Sequence, residues 1–131
     1  MTKIKKLKIN HKDSRGQIMD IFEKEKINHC TIVTFNKKSI RGNHYHKKSH
    51  QYELIFDGNF TVKTMKIKNN KSKKINTYKV KKNDFIEHKP YYAHALKCTS
   101  KKGTLIVFSK GLRGGKDYEK DTFRLLTPIL K

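Results

Sequence analysis

The stretch R-G-N-H-Y-H-K-K-S-H-Q, residues 41–51, gathers three of the chain's seven histidines and Gln51 within eight positions. Alternate residues of a β-strand share a face, so His44 and His46 are expected on one side and Tyr45 on the other. Two imidazoles buried without partners would cost about 1–3 kcal/mol each. An inward-facing pair therefore needs a metal, a substrate or a carboxylate, whereas an outward-facing pair needs nothing.

Outward from this stretch, apolar residues alternate with polar ones in short runs separated by turn signals, and helical periodicity is scarce. The Asp57-Gly58 pair between two apolar runs predicts a hairpin. The pattern predicts one all-β domain over residues 1–131, a sandwich or barrel. Its Gly-rich closing segment, 111–131, is expected to form a loop followed by a short strand or helical turn. The predicted strands are Ile18–Phe22, Thr31–Phe35, Tyr52–Phe56, Phe60–Ile67, Ile75–Val80, Phe85–His88, Ala93–Cys98 and Thr104–Phe108.

The composition restricts the classes of partner. The formal net charge is +21, but 28 of the 32 cationic residues are lysines spread along the whole chain, so nucleic acid is an unlikely partner despite the charge. The same positive field would attract a small polyanion.

No apolar run reaches the roughly 18 residues of a membrane span, and no signal core is visible, so a cytoplasmic protein without membrane contact is expected. Cys30 and Cys98 are expected to be reduced thiols packed in a core.

Two motifs resemble the cupin family. The first cupin pattern, G-x(5)-H-x-H-x(3,4)-E-x(6)-G, is similar to His44-Tyr45-His46, Gln51 and Gly58; the second is similar to Asn83-Asp84, Pro90 and His94. The resemblance spans residues 38–98 and implies a jelly-roll barrel, also called a double-stranded β-helix. The sequence departs from the pattern at four places: Lys38 and Asn83 replace Gly, Gln51 replaces Glu, and Cys98 replaces Asn.

A narrower resemblance concerns the substrate. D-S-R-G-Q-I (13–18) followed by R-G-N-H-Y-H-K (41–47) is similar to cupins that act on nucleotide-linked 4-keto-6-deoxysugars: dTDP-sugar 3,4-ketoisomerases and dTDP-4-dehydrorhamnose 3,5-epimerases. R-G-N-H also resembles the zinc-carrying C-terminal cupin of capsular-polysaccharide enzymes. The ketoisomerase resemblance implies proton transfer by paired histidines without a required cofactor, on a nucleotide-diphosphate sugar.

That chemistry suggests a role for each candidate. Removing a proton next to a ketone needs a base of near-neutral pKa and a donor for the oxyanion, so His44 or His46 is expected as base and the other as its partner. Arg41 is the candidate oxyanion or phosphate clamp. The substrate-binding candidates are Arg15 and Lys47 for the pyrophosphate, with Gln51, His94 and Tyr118. No role is assigned to His11, His29, His50 or His88.

Three functions stay open at this point. The first is an isomerase or epimerase of a nucleotide-linked ketosugar in surface polysaccharide synthesis, expected as a homodimer. The second is a metal-binding cupin of another activity, a dioxygenase or small-molecule isomerase, with Zn, Fe or Ni held by His44, His46, Gln51 and His94. The third is a non-catalytic sugar-binding cupin.

Overall fold

The computed structural model describes residues 2–111 and 119–131, which are almost entirely β-structure. Within these ranges no helix is long and apolar enough to cross a membrane. The strands are β1 Lys3–Lys6, β2 His11–Asp13, β3 Gly16–Ile18, β4 His29–Asn36, β5 Ile40–Tyr45, β6 His50–Asp57, β7 Asn59–Lys66, β8 Ile75–Lys81, β9 Asp84–His88, β10 Tyr92–Cys98, β11 Lys102–Lys110 and β12 Phe123–Arg124.

Ten of these strands form two five-stranded antiparallel sheets. Sheet I has the order β1-β9-β6-β11-β4, sheet II has the order β12-β5-β10-β7-β8, and β2 and β3 pair separately as a small hairpin. Most neighbours in a sheet are distant in sequence, which is typical of a jelly roll. The predicted all-β class is therefore confirmed.

The inner faces of the two sheets share one apolar core. Along β7, buried and less buried residues alternate, so that Phe60 and Val62 point inward and are at most 1% exposed. Each such buried side chain contributes about 1.5–3 kcal/mol through the hydrophobic effect. Phe35 of sheet I meets Phe60 of sheet II edge to face, with ring centroids 4.9 Å apart. Sheet I also supplies Ile55, Ile86, Leu105 and Val107, and sheet II supplies Val80, Leu96 and Cys98.

The hairpin predicted at Asp57-Gly58 is wrong. The strands on either side, β6 and β7, lie in different sheets: β6 pairs with β9 and β11, whereas β7 pairs with β8 and β10. Gly58 has φ +88°, and a Cβ there would lie 2.5 Å from the carbonyl oxygen of Lys102. The turn signal is real, but the tight turn passes the chain from one sheet to the other.

The outer face of sheet I is covered by the segment after β3. Phe22 packs edge to face against Tyr52, Phe85 and Phe108, with ring centroids 4.9–5.5 Å apart. The strand predicted over Ile18–Phe22 ends at Ile18, because the residues beyond it pack across the sheet rather than within a ladder. The cysteine prediction is half right: Cys98 is buried and Cys30 is exposed.

The described end of the closing segment lies against sheet II. It contains a 3₁₀ turn at residues 119–121 and then β12, which pairs with β5. The sequence predicted a short strand or a helical turn in this segment, without its pairing partner. The Asn43 side chain fixes the last residues: Oδ1 accepts hydrogen bonds from the backbone N–H of Ile129 and Leu130, at 2.9 and 3.2 Å. Ile129 and Leu130 then pack on Ala93 and Ala95.

Candidate active site

Three histidines of sheet II converge at one end of the barrel. His44 on β5 stands directly opposite His94 on β10, and His46 follows just beyond the end of β5. All three are buried, and the separations of their ring centroids are 4.8–5.5 Å. The inward-facing alternative for the His44–His46 pair is therefore the one that the structure shows.

Gly42 allows this convergence. It has φ +103°, and a Cβ at this position would lie 2.5 Å from the carbonyl oxygen of His94 and 2.9 Å from the Cα of Ala95. The register between β5 and β10 shifts between His94 and Ala95. The glycine of the R-G-N-H stretch is thus required because two backbones touch beneath the histidines.

Opposite the histidines, buried side chains of sheet I form a series of hydrogen bonds. His46 donates from Nε2 to Gln51 Oε1 at 3.1 Å, and Gln51 donates from Nε2 to Glu53 Oε2 at 3.2 Å. His88 donates from Nε2 to Glu53 Oε1 at 2.5 Å. The ring of His88 also stacks on His94, with centroids 4.2 Å apart and planes 15° from parallel.

His88 therefore belongs to the cluster, and the sequence prediction that gave it no role needs correction. It is 1% exposed and stands opposite Gln51 in the β6–β9 ladder. The signal that was available is strand alternation, because His88 has the parity of the buried Ile86. Of the remaining histidines, His50 lies near Glu87, His11 bonds Asp13, and His29 bonds Thr31.

Burial lowers the pKa of His94 well below its usual 6.5, and repulsion by His88, His44 and His46 lowers it further. The imidazole is therefore neutral at physiological pH. Its Nε2 atom has no hydrogen-bond partner in the described part of the chain. A lone pair or an N–H group at that atom is accordingly available to a ligand.

A cavity of about 500 Å³ opens above the cluster, a size that suits a small ligand. Its floor is polar and its walls are apolar. Arg41 and Arg124 lie at its edge, where the Arg41 guanidinium stands over the Phe35 ring at 5.4 Å and Arg124 pairs with Glu119 at 2.7 and 2.8 Å. The floor is formed by His44, Gln51, Glu53 and His94, and the walls by Val33, Phe35, Ile40, Gly42, Leu96, Leu105 and Val107.

Asp121 ties the closing segment to this site, although the sequence gave no signal for it. Its carboxylate accepts hydrogen bonds from the backbone N–H of Lys47, Lys48 and Ser49 at 2.8–3.1 Å, and its carbonyl oxygen accepts one from His46 Nδ1 at 2.7 Å. Burial raises the pKa of Asp121, but these hydrogen bonds outweigh burial and lower it below its usual value. An ionised Asp121 thus holds the turn after His46.

The structure brings some of the predicted site residues together and places others elsewhere. His44, His46, Gln51 and His94 come together, with Arg41 at the edge of their cavity. The Lys47 amine lies over the Phe123 ring at 4.2 Å instead of in the cavity. Arg15 is on the β2–β3 hairpin, largely exposed and paired with Asp13 at 2.7 Å. Tyr118 lies outside the described residues.

The cluster also fits a metal ion by its donor set. The nearest ligand atoms of His44, His46 and His94 all lie within 4.8 Å of one another. Three imidazole nitrogens and the Gln51 amide oxygen suit a divalent transition metal. Such an ion would act as a Lewis acid on a bound carbonyl.

Comparison with solved structures shows the cupin jelly roll predicted from the motifs. A 3,4-ketoisomerase from Thermoanaerobacterium thermosaccharolyticum, solved with TDP, superposes with a TM-score of 0.77 at 20% identity over 95% of this chain and 87% of that one. A 3,4-ketoisomerase from Helicobacter canadensis gives 0.77 at 17% identity, covering 95% and 90%. A dTDP-6-deoxy-D-glucose-3,5-epimerase from Legionella pneumophila, solved with dTDP-4-keto-L-rhamnose, gives 0.77 at 13% identity, covering 99% and 79%.

Sequence comparison gives the family. No curated protein matches the chain significantly. The family model described as the polysaccharide biosynthesis C-terminal domain matches residues 11–120, which is most of the chain. The chain therefore belongs to the polysaccharide biosynthesis C-terminal domain family.

Proposed function

We propose that the protein is an isomerase or epimerase of a nucleotide-linked 4-keto-6-deoxysugar, acting by histidine-mediated proton transfer in surface polysaccharide biosynthesis. The observation that carries the proposal is the buried, inward-facing pair His44 and His46, of which His44 lies on the floor of a cavity of about 500 Å³. The solved neighbours support it, because they are 3,4-ketoisomerases and 3,5-epimerases, and several of them were solved with TDP or a TDP-sugar.

The proposed chemistry is a proton shift. One imidazole of the pair takes the proton from the ring carbon next to the ketone, and the C–H electron pair moves into an enediolate. The second imidazole or Arg41 donates to the developing oxyanion, and the proton returns to a different atom or to the other face of the same carbon. The apolar walls exclude water, which strengthens each of these charge interactions.

The nucleotide end of the substrate needs cationic groups beyond the histidine floor. Arg124 and Arg41 stand at the cavity edge. Arg15 lies on the β2–β3 hairpin and not at this cavity, so its predicted contact with the pyrophosphate requires the hairpin of a second copy, in keeping with the predicted homodimer. The Lys47 amine rests on the Phe123 ring, so as a contact of the pyrophosphate it would have to leave that ring. Tyr118 as a tail contact and the cytoplasmic location stay predictions.

A metal-dependent activity is the second candidate, favoured by the three clustered imidazoles. Metal analysis of the purified protein separates the two. Stoichiometric zinc, iron or nickel that is lost in His44→Ala would favour this candidate. Metal content below about one tenth of an equivalent would favour direct proton transfer.

The test of the proposed function is solvent exchange. Wild-type protein is incubated with dTDP-4-keto-6-deoxyglucose in deuterated water, and the sugar is analysed by NMR and mass spectrometry. Deuterium at C3 or C5 is the expected result, and the position tells ketoisomerase or 3-epimerase from 5-epimerase chemistry. Measurable binding without deuterium would leave the third function, a non-catalytic sugar-binding cupin.

A further inference from the structure

The cationic groups at the edge of the cavity are arginines. Although the chain has 28 lysines, none of those in the described ranges lines the cavity, and its two cationic lining residues are Arg41 and Arg124. The Arg41 guanidinium stands over the Phe35 ring, and its Nη2 is 3.5 Å from the carbonyl oxygen of Thr34. The planar fork of a guanidinium matches two oxygens of a phosphate, so an anionic ligand in this cavity meets groups suited to it.

Arg124 lies beside His44 because of the strand register. The two residues stand directly opposite each other in the β12–β5 ladder. Directly opposite side chains of an antiparallel pair share one face of the sheet, so Arg124 is directed to the same side as the inward-facing His44. Arg124 therefore meets any ligand that reaches His44.

The Arg124 guanidinium is already held by a carboxylate. Glu119 accepts two parallel hydrogen bonds from it, from Nη1 to Oε2 at 2.7 Å and from Nη2 to Oε1 at 2.8 Å. A phosphate group offers an arginine the same arrangement of two oxygens. Glu119 therefore uses the N–H groups, in the geometry, that a phosphate of a nucleotide sugar would use.

The ion pair is exposed, while the backbone that carries it is anchored. The side chains of Arg124 and Glu119 are 59% and 63% exposed, and an ion pair as exposed as this contributes little to stability. Glu119 begins the 3₁₀ turn in which the Asp121 carboxylate accepts hydrogen bonds from the backbone of residues 47–49. A ligand can thus displace the Glu119 carboxylate by side-chain rotation alone, with the turn in place.

Resting on the proposed function, we propose that Glu119 competes with the phosphate groups of the substrate for Arg124. Without ligand, the carboxylate occupies the guanidinium, and a phosphate takes its place when the nucleotide sugar binds. After the reaction, Glu119 takes the arginine back and thereby favours release of the product. Glu119 thus lowers the affinity for the nucleotide part of substrate and product alike.

Calorimetry with TDP tests this in Glu119→Gln, which keeps the length of the side chain and removes its charge. We expect the Kd for TDP to fall about threefold or more, because Arg124 no longer has to leave a carboxylate. Thymidine, which carries no phosphate, should bind wild type and Glu119→Gln equally.

Glu25→Gln is the matched control, because it changes the net charge equally but away from the cavity. Glu25 also forms an exposed ion pair, with Lys110, and it lies on the outer side of sheet I in the groove that contains Tyr52. Its Kd for TDP should stay within about 1.5-fold of the wild-type value, since salt screens so distant a charge.

The Arg124→Gln background separates competition from simple charge repulsion. TDP should bind Arg124→Gln more weakly than wild type, and adding Glu119→Gln to it should no longer tighten binding. The proposal is overturned by a Kd in Glu119→Gln that equals or exceeds that of the wild type. The same tightening without Arg124, or an equal effect of Glu25→Gln, would also overturn it.

The deuterium exchange described above reports on the proposed function separately. If Glu119→Gln tightens TDP binding only in the presence of Arg124 and the wild type shows no exchange, the proposed reaction fails and the competition stands. If exchange occurs and Glu119→Gln leaves the Kd for TDP unchanged, only the competition is overturned.

Discussion

At the scale of the residue, most of the residues of the candidate site could be predicted from local sequence motifs. His44, His46, Gln51 and His94 could be found from the sequence because strand parity and motif spacing direct their side chains into the barrel. Glu53 and His88 could not be paired in this way, because their contact depends on the register between β6 and β9. Asp121 could not be predicted either, because it lies more than 70 positions from the turn whose N–H groups donate hydrogen bonds to its carboxylate.

Gly42 gives the residue-scale prediction. Gly42→Ala should lower the free energy of unfolding by about 2–4 kcal/mol, from backbone strain and from overlap with the backbone of β10. Gly16→Ala is the control, because Gly16 also has a positive φ, +139°, but a methyl group there would meet no atom within 4 Å beyond its chain neighbours. Urea unfolding measures both variants, and equal losses would show that close packing under the histidines is not what requires the glycine.

At the scale of the element, the closing segment is part of the site's frame. Strand β12 extends sheet II, and Asp121 fastens the turn at Lys47, Lys48 and Ser49. The sequence predicted a short strand or helical turn in this segment but not its anchoring through Asp121, because a polar, glycine-rich segment is equally typical of a solvated tail. The turn at Asp57-Gly58 is a similar case. The turn residues determine that the chain bends there, but they do not determine in which sheet the next strand pairs.

The carboxylate of Asp121 gives a pH-dependent prediction. Its pKa is lowered in the folded protein, so its stabilisation is fully present above the unfolded value of about 4 and is lost as the pH falls through the folded value. Asp121→Asn should therefore cost about 1–3 kcal/mol at neutral pH. The difference from wild type should shrink below about pH 4. Urea unfolding across pH tests this, with the exposed Asp57→Asn as control; a difference that grows on acidification would contradict it.

At the scale of the whole molecule, alternation and turn spacing sufficed to predict an all-β sandwich or barrel with one core. They did not predict β1, which is short and lysine-rich and forms only by pairing with β9. They also did not predict that the β2–β3 hairpin stands apart from both sheets. The β1–β9 pairing joins residues more than 70 positions apart, which no local pattern encodes.

The net charge of +21 gives a prediction at the same scale. A cationic field should favour TDP, so its Kd, measured by calorimetry, should rise several-fold when the salt concentration goes from about 0.05 to about 0.5 M. Binding of thymidine, which carries no phosphate, should not respond. A Kd for TDP that is independent of salt would mean that the lysines do not contribute to capture of the nucleotide.

The central claim is that the buried histidine pair moves a proton on a ketosugar. Its most direct test is the rate of solvent deuterium incorporation into dTDP-4-keto-6-deoxyglucose by wild type, His44→Asn and the matched outward-facing variant His50→Asn. We predict incorporation by wild type and His50→Asn at similar rates, and a rate about 100-fold or more lower in His44→Asn with TDP binding retained. Exchange by His44→Asn at the wild-type rate would contradict the account.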